Sequence, residues 1–323
     1  MATLFKCERK FDDSHLNDRT ERINKMTSTN SLIAPIEDVH PRYHLSLSWF
    51  DQQRPAGISF IIRARDEERT VEEAIMSVRL GLGISFPYEI VLVNNCSSDR
   101  TQKIGEHLQK EGTLASLVHY PFQLAKPGLE NYVTSVDSVH SIVWFYQFCW
   151  QQARFKYIFK WDADFVMTRG LADRLKTLWN EEFDTCRVPA VDFDGVANCE
   201  PYLFNTLKLP VVHRHQYWET TSLLIKGGQA ISLDGTGAVI EHASQLKTMK
   251  PYYRLPPWWE GSDSPVASVA KREYEEFSLM LPIGIQLFTR ASDPACDTLC
   301  RSVGLLPYRE GAGKLYTALK ERM

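Results

Sequence analysis

Ile58–Val78, ISFIIRARDEERTVEEAIMSV, predicts a strand, a polar loop and a helix in direct succession. Ile58–Ile62 is a short apolar run rich in β-branched residues, which is typical of a strand buried on both faces. Thr70, with Glu73 three residues later, has the spacing of a helix N-terminal capping box. Apolar residues then recur on one helical face, so the segment predicts the first strand–helix unit of an α/β fold.

The same order of strand and helix recurs further along the chain. The next predicted elements are a strand at Glu89–Val93, a helix from about residue 100, a strand at Leu117–Tyr120, a helix over residues 139–153 and a strand at Tyr157–Trp161. Strands that alternate with helices are typical of a mainly parallel sheet with helices on both faces. The sequence therefore predicts an α/β protein.

The chain divides into three parts by its patterning. Residues 1–55 are polar and lack sustained periodicity, so they predict an extension of the domain. Residues 56–245 predict the main domain, with one half over 56–180 and a second over 181–245. Residues 246–323 form a C-terminal segment. Beyond residue 180 the predicted elements are short strands at Pro210–His213, Thr221–Ile225 and Ala238–Ile240 and a helix over Val266–Met280.

Length and charge exclude several classes of protein. The 323 residues can bury a large core without disulfide bonds. Lys and Arg number 37 against 40 Asp and Glu, and the net charge of −3 offers no field for a polyanion, so no nucleic-acid partner is expected. Hydrophobic residues make up 44% and charged residues 24%, which disfavours collagenous, coiled-coil and wholly disordered chains.

Cysteine usage and the N-terminus indicate the compartment. The seven cysteines are scattered, with no CxxC motif and no zinc-type spacing, which favours a reducing compartment. The N-terminus lacks the apolar core of a signal peptide, and the longest apolar run, Ile142–Trp150, is interrupted by Gln147. The sequence therefore predicts a cytoplasmic protein without a transmembrane segment.

Polar residues follow three of the predicted strands at the points where those strands end. These clusters are Arg63–Glu68, Asn94–Asp99 and Asp162–Asp164. The carboxyl ends of parallel strands lie at one edge of a sheet, where the ligands of α/β proteins bind. The three clusters are therefore expected to line one cleft.

Asp162-Ala-Asp164 has the spacing of a divalent-cation site. Alternate side chains at a strand tip project to one side, so both carboxylates can face one ion that bridges phosphate oxygens. The alternative is that one carboxylate caps the turn and the other is solvated, since so short a motif also arises by chance. The sequence contains neither GxGxxG nor GxxxxGK[ST], which disfavours dehydrogenases and P-loop kinases.

Three segments form a combined pattern that is more specific than any one motif: Ile58–Val78, EIVLVNNCSSDRTQKI at Glu89–Ile104, and KYIFKWDADFVM at Lys156–Met167. Together they resemble family 2 nucleotide-sugar glycosyltransferases, in the branch that opens with Ile-Arg-x-Arg-Asn-Glu-Glu-Arg. The second segment is similar to the family's Asp-x-Gly-Ser-x-Asp-x-Thr loop and the third to its DxD strand. The match covers residues 57–180 in order. It implies a GT-A fold that binds Mn²⁺ or Mg²⁺ and a nucleotide diphosphate sugar.

The resemblance places the first polar cluster in the nucleotide site. It implies that Arg63 and Arg65 of the signature line this site. Asp66 and Glu67 stand where the family has Asn-Glu under the base and the ribose. Asp66 departs from the family, which usually has Asn at that position.

The resemblance also implies roles for the second cluster and the DxD motif. Asp99 would lie near the base, Asp162 would contact the ribose and the metal's hydration shell, and Asp164 would coordinate the metal. Asn94 stands where the family commonly has an Asp that accepts the uracil N–H. Because an Asn carbonyl can accept that bond while its amide donates another, UDP is the favoured nucleotide and GDP remains open.

Residues on the acceptor side are assigned by a weaker match. Glu219, which follows Tyr217 and Trp218, is expected to be the general base, with Glu241 as the second choice. The alternative for Glu219 is a surface carboxylate. His242 is expected to complete the metal shell, against the alternative of a histidine that is only hydrogen-bonded.

The expected activity is transfer of a sugar from the nucleotide diphosphate to a hydroxyl of a glycan or glycolipid acceptor, with inversion, in polysaccharide biosynthesis. The metal would neutralise the departing diphosphate, and a carboxylate would take the acceptor's proton. Pro251–Trp259 is rich in aromatic residues and would form an acceptor platform, or would pack against the domain. Peripheral contact with a membrane remains open.

Two other functions remain open from the sequence. Asp162-Ala-Asp164-Phe-Val166 also fits the DxDx[TV] nucleophile loop of haloacid-dehalogenase-type phosphatases. In those enzymes the motif ends the first strand of the domain, whereas here at least three strand–helix units come first. A non-catalytic relative with the same fold would bind a nucleotide sugar without turnover.

Overall fold

Strands and helices alternate in the computed structural model, which describes residues 39–125, 134–178, 181–191, 197–214, 219–225, 228–243 and 311–323. The strands are β1 Ile58–Ala64, β2 Tyr88–Asn95, β3 Ser116–Tyr120, β4 Tyr157–Asp162, β5 Phe165–Met167, β6 Thr185–Val191, β7 Ala197–Asn205, β8 Pro210–Arg214, β9 Glu219–Leu223, β10 Ala230–Ser232 and β11 Ile240–His242. The helices are α1 Val71–Leu82, α2 Thr101–Lys110, α3 Ile142–Trp150, α4 Arg169–Leu178 and α5 Gly313–Glu321.

A large, mainly parallel sheet forms the centre of the fold. Its strand order is β3-β2-β1-β4-β7-β6-β11-β5, with β10 paired to β6, while β8 and β9 form a separate pair. β1 pairs in parallel with β2 and β4, so the three strands that precede the polar clusters are neighbours. β7 is antiparallel to both β4 and β6, and β5 is antiparallel to β11. The predicted α/β class with a mainly parallel sheet is confirmed.

Both faces of this sheet are covered, because successive residues of a strand point to opposite sides. Phe60 and Ile62 of β1 lie in a first core with buried residues of α1, α2 and α4. Ile61 lies in a second core with buried residues of α3 and α5. Trp161 in the first core and Trp150 in the second are the largest fully buried side chains. The predicted placement of helices on both faces is therefore confirmed.

Residues that precede the first strand pack onto the second core. Tyr43, Trp49 and Phe50 are buried there, and the Trp144 Nε1–H donates to the Tyr43 carbonyl at 3.1 Å. The described part of the predicted extension therefore packs against α3. The division of the chain at residues 55, 180 and 245 stays a prediction.

Several boundaries differ from the predicted ones. The helix predicted over residues 139–153 is the shorter α3, where the Ser141 side chain caps the helix by accepting a bond from the Val143 N–H. β9 starts at Glu219 and β11 at Ile240, each displaced by two residues from its predicted start. Strands this short contain too few alternating residues for the pattern to define their ends.

The capping box predicted at the start of α1 does not form. Thr70 makes no side-chain bond to the helix, and its hydroxyl donates to Glu67 Oε2 at 3.0 Å instead. The Thr70 N–H also donates to the Glu67 carbonyl, at 3.1 Å, so the two residues close a turn before the helix begins. The Thr70 hydroxyl is therefore bonded within this turn, to Glu67, and does not cap the helix.

Two sequence predictions, the helix over Val266–Met280 and the aromatic segment Pro251–Trp259, lie outside the described residues. Within the part of the chain that the structure describes, no helix is both long enough and apolar enough to cross a membrane.

Candidate active site

Three polar segments meet at the carboxyl edge of the sheet. The first loop, residues 65–70, follows β1, the second loop, residues 96–100, follows β2, and Asp162 ends β4. Arg63 is directly opposite both Val93 of β2 and Asp162 of β4. The three segments are level with one another because the three strands are parallel and in register.

Asp66 joins the first loop to the second. Its backbone is left-handed, with φ of 55°, a conformation that Asp tolerates better than most residues. Its Oδ1 accepts bonds from the Ser98 N–H at 2.6 Å and the Ser98 hydroxyl at 3.1 Å, and its own N–H donates to Ser97 Oγ at 3.0 Å. Arg65 Nε lies 3.9 Å from Asp66 Oδ2. In this structure Asp66 therefore shapes the two loops.

Asp99 also joins the first loop to the second, through hydrogen bonds of its own. Its Oδ2 accepts from the Glu68 N–H and its Oδ1 from the Thr101 N–H, both at 2.9 Å, while the Glu67 N–H donates to Thr101 Oγ1 at 2.8 Å. Burial disfavours the charge of Asp99, but the bonds from Thr101 and Glu68 outweigh burial and lower its pKa below the usual value. Asp99 is thus ionised and hydrogen bonds to backbone groups that follow both strands. Its contact with the nucleotide base stays a prediction.

Two adjacent buried asparagines end β2, and their hydrogen bonds differ. Asn94 donates to Gln102 Oε1 at 2.7 Å and accepts from the Ser97 hydroxyl, so both of its polar atoms are engaged. Asn95 donates to the Phe122 carbonyl at 2.7 Å, but its buried Oδ1 has no hydrogen-bond partner among the described residues. An unfilled buried acceptor costs about 1–3 kcal/mol, which a bound donor group can offset. Of the two, only Asn94 stands at a position that the sequence resemblance assigns to the base.

A group of buried charged and polar side chains lies beneath the carboxyl edge. We call it the β4 charge cluster, and its members are Arg63, Tyr146, Lys160, Asp162 and Glu219. Arg63 is paired with Asp162 Oδ1, and its guanidinium carbon lies 3.8 Å from the centroid of the Tyr146 ring. The Arg63 side chain is 5% exposed and that of Asp162 is 39% exposed. Asp162 is thus the exposed end of a largely buried network.

Glu219 is the buried acid of the β4 charge cluster. Its side chain is 7% exposed, and its Oε1 lies 3.2 Å from Lys160 Nζ and 4.0 Å from Arg63 Nη1. The Tyr146 side chain also lies close enough to Glu219 that burial and the charge of that acid both raise the pKa of Tyr146. The sequence-based alternative of a surface carboxylate is therefore wrong, and the role of general base stays a prediction.

The charges of the cluster support one another. Burial disfavours the positive charges of Lys160 and Arg63, but the neighbouring acidic groups outweigh burial and raise the pKa of both. Burial raises the pKa of Tyr146 well above its usual value, so Tyr146 stays neutral and can donate its proton in a hydrogen bond. Glu200 of β7, which sequence analysis did not single out, lies at the rim, with Oε2 3.9 Å from Lys160 Nζ. No local signal marks Glu200, because only the pairing of β7 with β4 brings it there.

The DxD turn lies beside β11. Asp164 is partly buried between β4 and β5, and its carbonyl accepts a bond from the Ala243 N–H at 2.6 Å. In the strand register His242 is opposite Phe165. Strand pairing therefore brings the backbone of His242 next to Asp164, although the two are far apart in sequence. The side chain of His242 lies outside the described residues.

Glu241 is exposed on β11, opposite Val166 of β5 and Val191 of β6. Its neighbour Ile240 is buried in the first core, so Glu241 points to the opposite face of the sheet. Asp162 also follows a first-core residue, Trp161, and points to that same face. Of Glu219 and Glu241, the two candidates for the general base, Glu241 is the one with an exposed side chain.

The oxygen donors at the DxD turn suit a hard divalent cation. Among the described residues, no group of three His, Cys, Asp or Glu side chains converges as a metal site. Asp162 and Asp164 nevertheless provide two carboxylates at a strand tip, and Mg²⁺ commonly binds one or two carboxylates together with water and substrate phosphates. The residues present therefore fit a cation that is shared with a phosphate-bearing ligand.

No protein-family model matches the chain, and none of the curated proteins does. Among solved structures the chain resembles S. aureus TarS 1–349, with 18% identity over 47% of this chain and 48% of that chain and a TM-score of 0.35. It also resembles M. tuberculosis glucosyl-3-phosphoglycerate synthase in complex with Mn²⁺, UDP and phosphoglyceric acid, with 14% identity over 61% of this chain and 72% of that chain and a TM-score of 0.38. The chain spans about half the length of TarS 1–349. Likenesses with TM-scores this low carry no argument about activity.

Proposed function

We propose that this protein is a metal-dependent glycosyltransferase of the GT-A type, which transfers a sugar from a nucleotide diphosphate to a hydroxyl of a glycan or glycolipid acceptor with inversion. The observation that carries the proposal is the meeting of the first loop, the second loop and the Asp162–Asp164 turn at one edge of parallel strands. The sequence resemblance assigns those same three segments, in the same order, to the donor site.

The nucleotide end of the site is proposed to lie at the ends of β1 and β2. The open Oδ1 of Asn95 would accept an N–H of the base. Uracil and guanine both offer such a donor, so UDP is favoured by the sequence resemblance alone and GDP remains open. Arg65 is a neighbouring cation that could face the phosphates. Asp66 and Asp99 would act here chiefly by holding the two loops in shape.

The metal end is proposed to use Asp162 and Asp164, with His242 as a further ligand. A bound Mn²⁺ or Mg²⁺ would neutralise the charge of the departing diphosphate. The chain's own contribution is to hold the two carboxylates at the strand tip, next to β11.

The proton of the acceptor hydroxyl is proposed to pass to Glu241. A general base must come within hydrogen-bond reach of the hydroxyl, so its carboxylate must be accessible. Glu241 is exposed on the Asp162 face of the sheet, whereas the side chain of Glu219 is 7% exposed and already paired. Of the two carboxylates predicted from sequence, Glu241 meets this requirement.

The chain order disfavours the phosphatase. In haloacid-dehalogenase-type enzymes the DxD motif ends the first strand of the domain, whereas β4 follows β1, β2 and β3 here. A sugar-binding relative without activity differs from an enzyme only in turnover, so activity measurements separate the two. Cytoplasmic localisation and a role in polysaccharide biosynthesis stay predictions.

A panel of UDP and GDP sugars tests the proposal. We expect one of them to raise the unfolding temperature in the presence of Mn²⁺ and to be hydrolysed slowly without acceptor. Protection without any hydrolysis or transfer would indicate the non-catalytic relative. If none of the nucleotides protects the protein with Mn²⁺ or Mg²⁺, the proposal is wrong.

A further inference from the structure

The burial and the contacts of Glu219 do not suit a residue that takes a proton from the acceptor. Its Oε1 lies 3.2 Å from Lys160 Nζ and 4.0 Å from Arg63 Nη1. With a side chain that is 7% exposed, Glu219 has little surface on which an acceptor hydroxyl could approach. Its contacts are instead those of a buried counter-ion.

The contacts of Glu219 lead directly to Asp162. Arg63 lies between the two acids: its Nη1 is 4.0 Å from Glu219 Oε1, and its Nη2 is paired with Asp162 Oδ1. The Arg63 guanidinium also lies over the ring of Tyr146, a cation–π contact that favours this position of the arginine. Lys160 precedes Asp162 by two residues on the same face of β4, so Glu219 also anchors the strand segment that carries Asp162.

We infer that Glu219 is a positioning residue, which holds Asp162 ready for the metal by balancing the charges of Arg63 and Lys160, and that it does not accept the acceptor's proton. The inference rests on the proposed function, because it concerns metal binding at the same site.

Charge balance gives the inference a measurable consequence. Arg63 and Lys160 are two buried cations, and Glu219 is the buried acid that both of them contact. Without Glu219, Asp162 is the one close acidic partner of Arg63 among the described residues, and Arg63 competes more strongly with a metal for that carboxylate. Partners that orient metal ligands in this way typically change metal affinity by about 10- to 100-fold when they are altered.

The test compares Glu219→Gln with Glu89→Gln. Glu89 is an ion-paired glutamate at the opposite edge of the sheet, where it contacts Arg154, and its side chain is 2% exposed against 7% for Glu219. Mn²⁺ is titrated into the full chain by electron paramagnetic resonance, alone and with UDP or GDP. We expect Glu219→Gln to weaken Mn²⁺ affinity by about 10- to 100-fold. We expect Glu89→Gln to lower the unfolding temperature while leaving Mn²⁺ affinity unchanged.

A second variant separates charge balance from simple loss of structure. Arg63→Met combined with Glu219→Gln removes the competing cation together with its acidic partner, so we expect it to recover most of the Mn²⁺ affinity lost in the single variant. If Glu219→Gln does not fold, the double variant decides. A double variant that is also unfolded, or that is folded but still binds Mn²⁺ weakly, overturns the inference.

The remaining outcomes distinguish the inference from the proposed function. If Glu219→Gln binds Mn²⁺ like the wild type but loses turnover at saturating metal, the inference is wrong and Glu219 is the base. If the wild type binds Mn²⁺ under none of these conditions, the proposed function fails and the inference fails with it.

Discussion

A glutamate with a largely buried side chain lies at each edge of the central sheet, Glu89 from β2 at the amino edge and Glu219 from the separate β8–β9 pair at the carboxyl edge. The hydrogen bonds around the two glutamates are satisfied to different degrees. At the amino edge, Glu89 accepts from the Ser59 hydroxyl at 2.6 Å, from the Arg154 N–H at 2.7 Å and from Arg154 Nε at 2.6 Å. At the carboxyl edge, Glu219 lies near Arg63, whose buried Nε and Nη1 have no hydrogen-bond partner within the described part of the chain. The amino edge is therefore a completed network, and the carboxyl edge is not.

This difference indicates that the carboxyl edge of the sheet contains buried polar atoms that lower the stability of the fold. A buried donor or acceptor without a partner costs about 1–3 kcal/mol, and the cost persists until a ligand or a rearrangement supplies the partner. The open atoms of Arg63 and Asn95 both lie at the edge where the three polar segments meet. Changes at this edge should therefore affect binding more than stability, and changes at the amino edge should do the reverse.

The largest effect is expected for Asp164→Asn. Because Asp164 is only partly buried in a turn, we expect the fold to survive, while Mn²⁺-dependent binding of UDP or GDP weakens by about 100-fold or more. Titration calorimetry with and without Mn²⁺ measures this, with Asp173→Asn on the exposed side of α4 as the control. Equal affinity with and without metal in the wild type would contradict the prediction.

A large effect on turnover alone is expected for Glu241→Gln. The amide keeps the size of the side chain but cannot take a proton, so turnover should fall by about 10²-fold while donor affinity stays nearly unchanged. Steady-state kinetics and donor titrations measure the two quantities, and Glu181→Gln, on an exposed ion pair, is the control. Full activity in Glu241→Gln would return the role of base to Glu219, the first choice from the sequence.

A moderate effect is expected for Asn95→Ala. Loss of the open acceptor should weaken UDP binding by about tenfold, as expected for one buried hydrogen bond, but should leave pyrophosphate binding unchanged because pyrophosphate has no base. Asn94→Ala is the matched variant, since Asn94 is equally buried but has both polar atoms engaged. If Asn94→Ala weakens UDP binding more than Asn95→Ala does, the base is read by Asn94, as the sequence resemblance implies.

The smallest effect is expected for Asp99→Asn, and it depends on pH. Because folding lowers the pKa of Asp99, its contribution to stability is present above the usual value of 3.8 and is lost as the pH falls through the lowered value. Urea unfolding should show a loss of about 1 kcal/mol near neutral pH, the usual size of a lost capping bond, and a loss that shrinks steadily as the pH falls below 3.8. Asp234→Asn, in an exposed turn, should show no difference anywhere in this pH range. A gap that widens in acid would contradict this assignment.

Many of the strands and helices over residues 56–180 could be predicted from local patterns. β1, β2 and β4 are continuous apolar runs that end in polar clusters, and such runs indicate buried parallel strands wherever they occur. The boundaries of β9 and β11 were harder to predict, because a strand of three to five residues carries little periodicity. The capping box at Thr70 failed because the neighbouring Glu67 offered its hydroxyl another acceptor.

The candidate site was predicted less completely than the strands. Asp162, Asp164 and the two loops were found from their motifs, but Asn95 was missed although it adjoins Asn94. Which of the two asparagines keeps an open acceptor depends on the strand's alternation and on the Phe122 carbonyl, which comes from another segment. Glu200 was missed for a similar reason, since it reaches Lys160 only through strand pairing.

The sequence alone determined the α/β class and the edge of the sheet at which the polar residues gather, because apolar runs, loop composition and strand direction are expressed within short segments. Tertiary contacts decided that the Glu219 side chain is buried and that the Glu241 side chain is exposed. Lys160, Arg63 and Tyr146 bury Glu219 from three different elements, while pairing with β5 and β6 leaves Glu241 exposed. Burial and ion pairing join residues that are distant along the chain, so the same type of side chain can become a buried counter-ion in one place and an accessible carboxylate in another.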